Sequence, residues 1–176
     1  MIVSMVSLGC AKNLVDSERM LHLLREGGYV LTADPADADI AIVNTCGFIQ
    51  AAKEEAIDTI LELAHLKETG SLRYIIATGC LAERYKDEVA AQFPELDAVI
   101  GIGDQKEICT VLDRVTAGSR VTRFAPKCDM PLTGRRILAT LPFFAYLKIA
   151  EGCSNGCTYC AIPAIRGKYR SVEMAE

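Results

Sequence analysis

Three times in its first 80 residues the chain runs through a short apolar stretch and meets a cysteine with a glycine beside it. The segments are Ser7-Leu8-Gly9-Cys10, Asn44-Thr45-Cys46-Gly47 and Thr78-Gly79-Cys80. The runs before them, Ile2 to Leu8, Ile40 to Asn44 and Tyr74 to Thr78, read as strands, as does Ala98 to Ile100 and, more weakly, Tyr29 to Thr32. Helical periodicity fills the gaps. Asn13 is placed to cap a helix that runs to Gly27-Gly28, with Asp16 and Glu18 near its positive end. Ala56, Ile60, Leu61 and Ala64 share a face of a second helix ending near Gly70. Tyr85, Val89 and Phe93 mark a third before Pro94, and Ile108, Val111, Leu112 and Val115 a fourth before Gly118. Strands alternating with helices predict the α/β class, a parallel sheet covered on both faces. Such a sheet gathers the carboxyl ends of its strands along one edge, where ligands bind. Cys10, Cys46 and Cys80 are therefore expected to converge there, with adjacent glycines allowing tight turns and close backbone approach. One buried free cysteine is ordinary; the same device after three strands predicts a three-thiolate site.

A second set of cysteines is compact: Cys153-Ser-Asn-Gly-Cys157-Thr-Tyr159-Cys160. Three thiolates so close can hold three irons of a cubane cluster and leave the fourth iron open to a ligand, which suits chemistry more than electron carriage. A zinc knuckle would want a fourth Cys or His nearby, and the two histidines, His22 and His65, lie far upstream in helical stretches. The apolar run Phe143 to Ala150 is expected to be a strand delivering this loop. Between residues 124 and 142 periodicity fades and three prolines occur. Residues 1–123 thus read as one domain, 124–142 as a linker and 143–176 as the start of another. A hydrophobic content of 51% with 24% charged residues fits an ordinary globular chain, and a net charge of −4 gives no general reason to expect nucleic acid. Ile2 to Leu8 lacks a basic flank and is too short for a signal peptide or a spanning helix. The expected location is the cytoplasm, where eight cysteines argue for metal or catalysis rather than disulfides. Cys109 is expected in the core and Cys128 is incidental; Arg166-Gly167 either positions a cofactor or substrate or forms a plain turn.

The C-x3-C-x2-C spacing, with Tyr159 before the last cysteine, resembles the signature of radical S-adenosylmethionine (SAM) enzymes. The segments Val6 to Glu18, Ala38 to Ile49 and Ala77 to Arg84 resemble the methylthiotransferase domain of radical SAM methylthiotransferases, and Tyr146 to Gly167 the start of their barrel. The resemblance implies that Cys10, Cys46 and Cys80 hold an auxiliary [4Fe-4S] cluster. It further implies that Cys153, Cys157 and Cys160, beside Tyr159, hold the [4Fe-4S] cluster that cleaves SAM. Lys12-Asn13, Gly47-Phe48-Ile49 and Leu81-Ala82-Glu83 are worded like the branch that modifies an aspartate β-carbon of small-subunit ribosomal protein twelve, rather than the branch that modifies tRNA adenosine. An electron donor such as flavodoxin or ferredoxin is implied, with no membrane and, outside the tRNA alternative, no nucleic acid. A complete β/α barrel needs on the order of 200 residues, so the chain is expected to be an N-terminal part, inactive alone. The competing reading from another class is a non-catalytic iron–sulfur or zinc-binding module.

Overall fold

Ile40-Ala41-Ile42-Val43 is apolar at every position, which obliges a strand through it to be covered on both faces. The computed structural model, which describes residues 1–70 and 72–175, meets that demand. The chain forms β1 (Ile2–Ser7), α1 (Ala11–Glu26), β2 (Val30–Thr32), β3 (Ile40–Thr45), α2 (Gln50–Thr69), β4 (Tyr74–Gly79), α3 (Cys80–Gln92), β5 (Ala98–Ile100), α4 (Ile108–Thr116) and β6 (Val121–Arg123). The six strands pair in parallel in the order β2-β1-β3-β4-β5-β6. On one face Ile40, Ile42, Ile76 and Ile100 pack against α1 and α4 through Met20, Leu24, Ile108 and Leu112. On the other, Ala41, Val43, Ile75 and Val99 pack against α2 and α3 through Ile60, Leu63, Leu81 and Val89.

Two features of this sheet place the site. The strand order reverses between β1 and β3, because the chain leaves β1 for β2 on one side and returns to β3 on the other. A crevice opens at the carboxyl ends of strands where that happens. The register is also level: Ser7 pairs with Asn44, and Asn44 with Thr78, so the three turns that follow leave the sheet at one height.

The expected strands and helices of residues 1–120 are present, with one correction at the start of α1. Cys10, not Asn13, is the residue before the helix. Asn13 lies inside the first turn, fully buried, where its amide nitrogen donates to Leu8 O and Thr45 O, each at 2.9 Å. Its side chain is committed to strand-end carbonyls and cannot cap the helix. Nor do Asp16 and Glu18 act as exposed charges near a helix end, since both are buried against cations from the C-terminal segment. β6 adds a sixth strand beyond the five expected.

The expected strand from Phe143 to Ala150 does not form. Strand structure begins only at β7 (Ala150–Glu151), which pairs antiparallel with β8 (Arg170–Ser171) across the short helix α5 (Ile162–Arg166). The reason is the lysine inside the run. Lys148 is turned inward to bond Asp16 at 2.6 Å, while Phe143, Leu147 and Ile149 face outward at 77%, 82% and 65% exposure. Phe144 packs between Phe143, tilted at 47°, and Tyr146, edge-on at 88°, with ring centroids 5.7 Å apart on each side. In place of the expected strand there is a small antiparallel pair tied to α1. Residues 130–139 follow α1 as well: Arg19 donates to Pro131 O at 2.7 Å, and the Ile137 and Ala139 amides donate to the backbone and side chain of Glu18. Among the described residues no helix is long and apolar enough to cross a membrane.

Candidate metal centre

Cys10 precedes the first residue of α1, Cys46 follows the last residue of β3, and Cys80 is the first residue of α3. All three line one cavity of about 690 Å³, walled by Phe48, Ile49, Ile162 and Ile165. Cys46 and Cys80 are buried while Cys10 is exposed at the mouth, so the cavity reaches solvent on the Cys10 side. The turn before Cys10 requires glycine. Gly9 has φ +89°, and a Cβ there would stand 2.6 Å from Cys46 Cβ and 2.8 Å from its Sγ. No side chain could fit there against Cys46.

The electrostatic setting favours an anion. The N-termini of α1 and α3 both open on the cavity, and their free N–H groups and dipoles carry partial positive charge. Arg166, at the end of α5, is 3% exposed and reaches in from the C-terminal segment. Its Nη1 donates to Asp16 Oδ2 at 2.7 Å and Glu151 Oε2 at 3.1 Å. Its Nη2 donates to Asn13 Oδ1 and, at 3.4 Å, to Cys80 Sγ. Lys148 bonds both Asp16 and Glu151, which closes a buried foursome of two carboxylates and two cations. Burial alone would raise the Glu151 carboxyl pKa, but Arg166 and Lys148 overcome it and hold the group down at about 2. Burial likewise works against the Arg166 cation, yet Asp16, Cys80 and Glu151 raise its pKa above the usual value. Burial pushes the free Cys80 thiol up, with Arg166 pulling the other way. A metal bound there must therefore displace a proton.

Cys153, Cys157 and Cys160 lie on the loop between β7 and α5, whose flanking residues Glu151 and Ile162 line the same cavity. The loop is pinned at its base, where Cys153 N donates to Gly167 O at 3.1 Å and Tyr169 N to Ser154 Oγ at 3.1 Å. Cys157 is exposed and Tyr159 almost fully so, at 90%. Among the described residues no three His, Cys, Asp or Glu side chains are grouped closely enough to grip a single metal ion. A cubane asks something different, since each sulfur binds its own iron.

Sequence reasoning singled out the cysteines and left Arg166 undecided between a positioning role and a turn. It missed Asn13, Asp16, Lys148 and Glu151 as members of the site. The only available signal for them was a lysine inside an apolar run. Cys109 is half-buried and packs against the core of the α1 and α4 face, and Cys128 is exposed.

Comparison with known proteins adds three observations. The family described as "Uncharacterized protein family UPF0004" matches residues 2–101. A protein of Thermoanaerobacter sp. (strain X514) named "Ribosomal protein uS12 methylthiotransferase RimO" is 50% identical over 175 residues, covering 99% of this chain and 40% of its own length. A protein of the same name from Clostridioides difficile (strain 630) is 48% identical over 174 residues, covering 96% of this chain and 38% of its own. The chain spans about two fifths of the length of the curated relatives it matches.

Proposed function

Because the chain belongs to the family described as "Uncharacterized protein family UPF0004", we propose that it carries the cluster-binding part of a radical SAM methylthiotransferase. The substrate is the β-carbon of an aspartate in small-subunit ribosomal protein twelve. The names of the relatives support this choice over tRNA adenosine. The observation that carries the reading is the convergence of Cys10, Cys46 and Cys80 from three strand ends on one cavity. The donor set fits an iron–sulfur cluster, because three cysteines meet two helix N-termini and the cations Lys12 and Arg166, and the glycine at residue 9 leaves room beside Cys46 Sγ.

Cys10, Cys46 and Cys80 would hold the auxiliary [4Fe-4S] cluster, and Cys153, Cys157 and Cys160 the second, with Tyr159 beside SAM. When bound, the clusters and SAM supply the one-electron chemistry and the sulfur group that no side-chain base could replace at an unactivated C–H bond. The chain's own residues do the rest. Phe48, Ile49, Ile162 and Ile165 exclude water from the cavity walls. Asp16, Lys148, Glu151 and Arg166 tie both ends of the second cysteine loop to α1. A reduced flavodoxin- or ferredoxin-type carrier is the electron donor.

The test has two arms. Anaerobic reconstitution should give about eight irons per chain with equal sulfide, falling by half when either cysteine triad is replaced by serine; about one zinc per chain in place of iron would reject the cluster assignment. A full-length enzyme containing these residues, given SAM and reductant, should add a methylthio group to ribosomal protein twelve in mass spectra. Modification of tRNA instead would reject the substrate.

A further inference from the structure

Among the described residues Arg166 is the one buried cation that touches a cysteine sulfur of the strand-end set, and its hydrogen bonds are divided in an informative way. Both carboxylates, Asp16 and Glu151, hold Nη1. Nη2 is left to point at Asn13 Oδ1 and Cys80 Sγ. Asn13 is itself fixed by Leu8 O and Thr45 O, so the direction of Nη2 is set from both sides. A side chain needed only to join the C-terminal segment to α1 would be complete with Asp16 and Glu151. We infer that Arg166 is a positioning residue of the Cys10, Cys46 and Cys80 centre: its guanidinium donates to the ligating sulfur of Cys80 and raises the reduction potential of the cluster held there.

The inference rests on the proposed cluster at these cysteines and concerns its tuning. Hydrogen bonds to cluster sulfurs favour the reduced, more negative state and so raise the potential. The surrounding charge works in the same direction. Asp16 and Glu151 share Lys148 and Arg166 and are also reached by Arg19 and Lys12, so loss of Arg166 makes the buried surroundings of the sulfur one charge more negative where screening is poor. Lysine could restore the charge but not the fork that serves the carboxylates and the sulfur together. Lys148 has no bond to any cysteine among the described residues, although it carries the same charge in the same foursome. It therefore separates charge from hydrogen bond.

The experiment uses the 176-residue chain with Cys153, Cys157 and Cys160 replaced by serine, so that a single cluster remains. After anaerobic reconstitution with iron and sulfide, the midpoint potential is measured by dithionite titration with electron paramagnetic resonance detection. Arg166→Gln should move the midpoint clearly negative with iron content retained. Arg166→Lys should fall between it and the parent, and Lys148→Gln should shift it less than Arg166→Gln. Equal shifts for Arg166→Gln and Lys148→Gln, or none, overturn the inference. Should Arg166→Gln fail to fold, the parent chain labelled with 15N-arginine decides. The reduced cluster should show a nitrogen hyperfine coupling that disappears in Arg166→Lys, and a cluster without that coupling overturns the inference while leaving the cluster assignment standing. A parent chain that assembles no cluster overturns both.

Discussion

Gly9 and Gly28 share a left-handed backbone, with φ of +89° and +84°, but differ in what a side chain would meet. At Gly28 nothing lies within 4 Å, whereas at Gly9 the Cβ would collide with Cys46. Gly28→Ala should therefore cost only the conformational strain, about 1 kcal/mol. Gly9→Ala should cost at least about 2 kcal/mol by urea denaturation, because overpacking adds to the same strain. It should also lower iron retention, which Gly28→Ala should not. Equal behaviour of the two variants would mean that the space between Cys10 and Cys46 is not needed. Asn13 shows a similar economy. One buried amide satisfies two strand-end carbonyls with its nitrogen and receives Arg166 with its oxygen, joining the sheet edge to the C-terminal segment through a single residue.

At the scale of elements, burial separates strands that carry the fold from segments that lie on it. Ile42, fully buried in β3 against α1 and α4, should cost about 2–5 kcal/mol when cut to alanine. Leu147, 82% exposed outside any strand, should change stability by no more than about 0.5 kcal/mol when replaced by serine. Urea titration of both variants checks the contrast. It also explains what could be read from sequence. β3 and β4 announce themselves because a strand covered on both faces is apolar at successive positions. β6 does not, since it has three residues of which only Val121 is buried. Residues 143–149 mislead because an apolar run does not require a strand, and the lysine within it belongs to a distant partner. The cysteines were legible from their place beside strand ends. Their charged support was not, because Lys148 and Arg166 find Asp16 across 132 and 150 residues.

Across that distance the C-terminal segment is tied to α1 by a buried charge cluster, with Ile165 and Met130 buried beside it. Buried ion pairs add little net stability against apolar replacements, yet removing one member is costly because it strands the rest. Asp16→Asn leaves Lys148 and Arg166 with one carboxylate between them, and should weaken the attachment of the C-terminal segment by about 3–5 kcal/mol. Limited trypsin digestion should then speed up at Arg136, which in the parent is seated on Glu18 and Tyr146 O. The sheet should keep its hydrogen-exchange protection. Unchanged digestion would mean that contacts other than the foursome hold the segment.

The placement of Arg166 also gives the centre a history. Cys10, Cys46 and Cys80 belong to the part of the chain that leaves the ribosome first, and the sheet that gathers them is complete by Arg123. The guanidinium that seats against Cys80 arrives 86 residues after it. During synthesis the pocket is thus shaped before its last wall, α5, exists. In the folded chain it stays open on the side of the exposed Cys10.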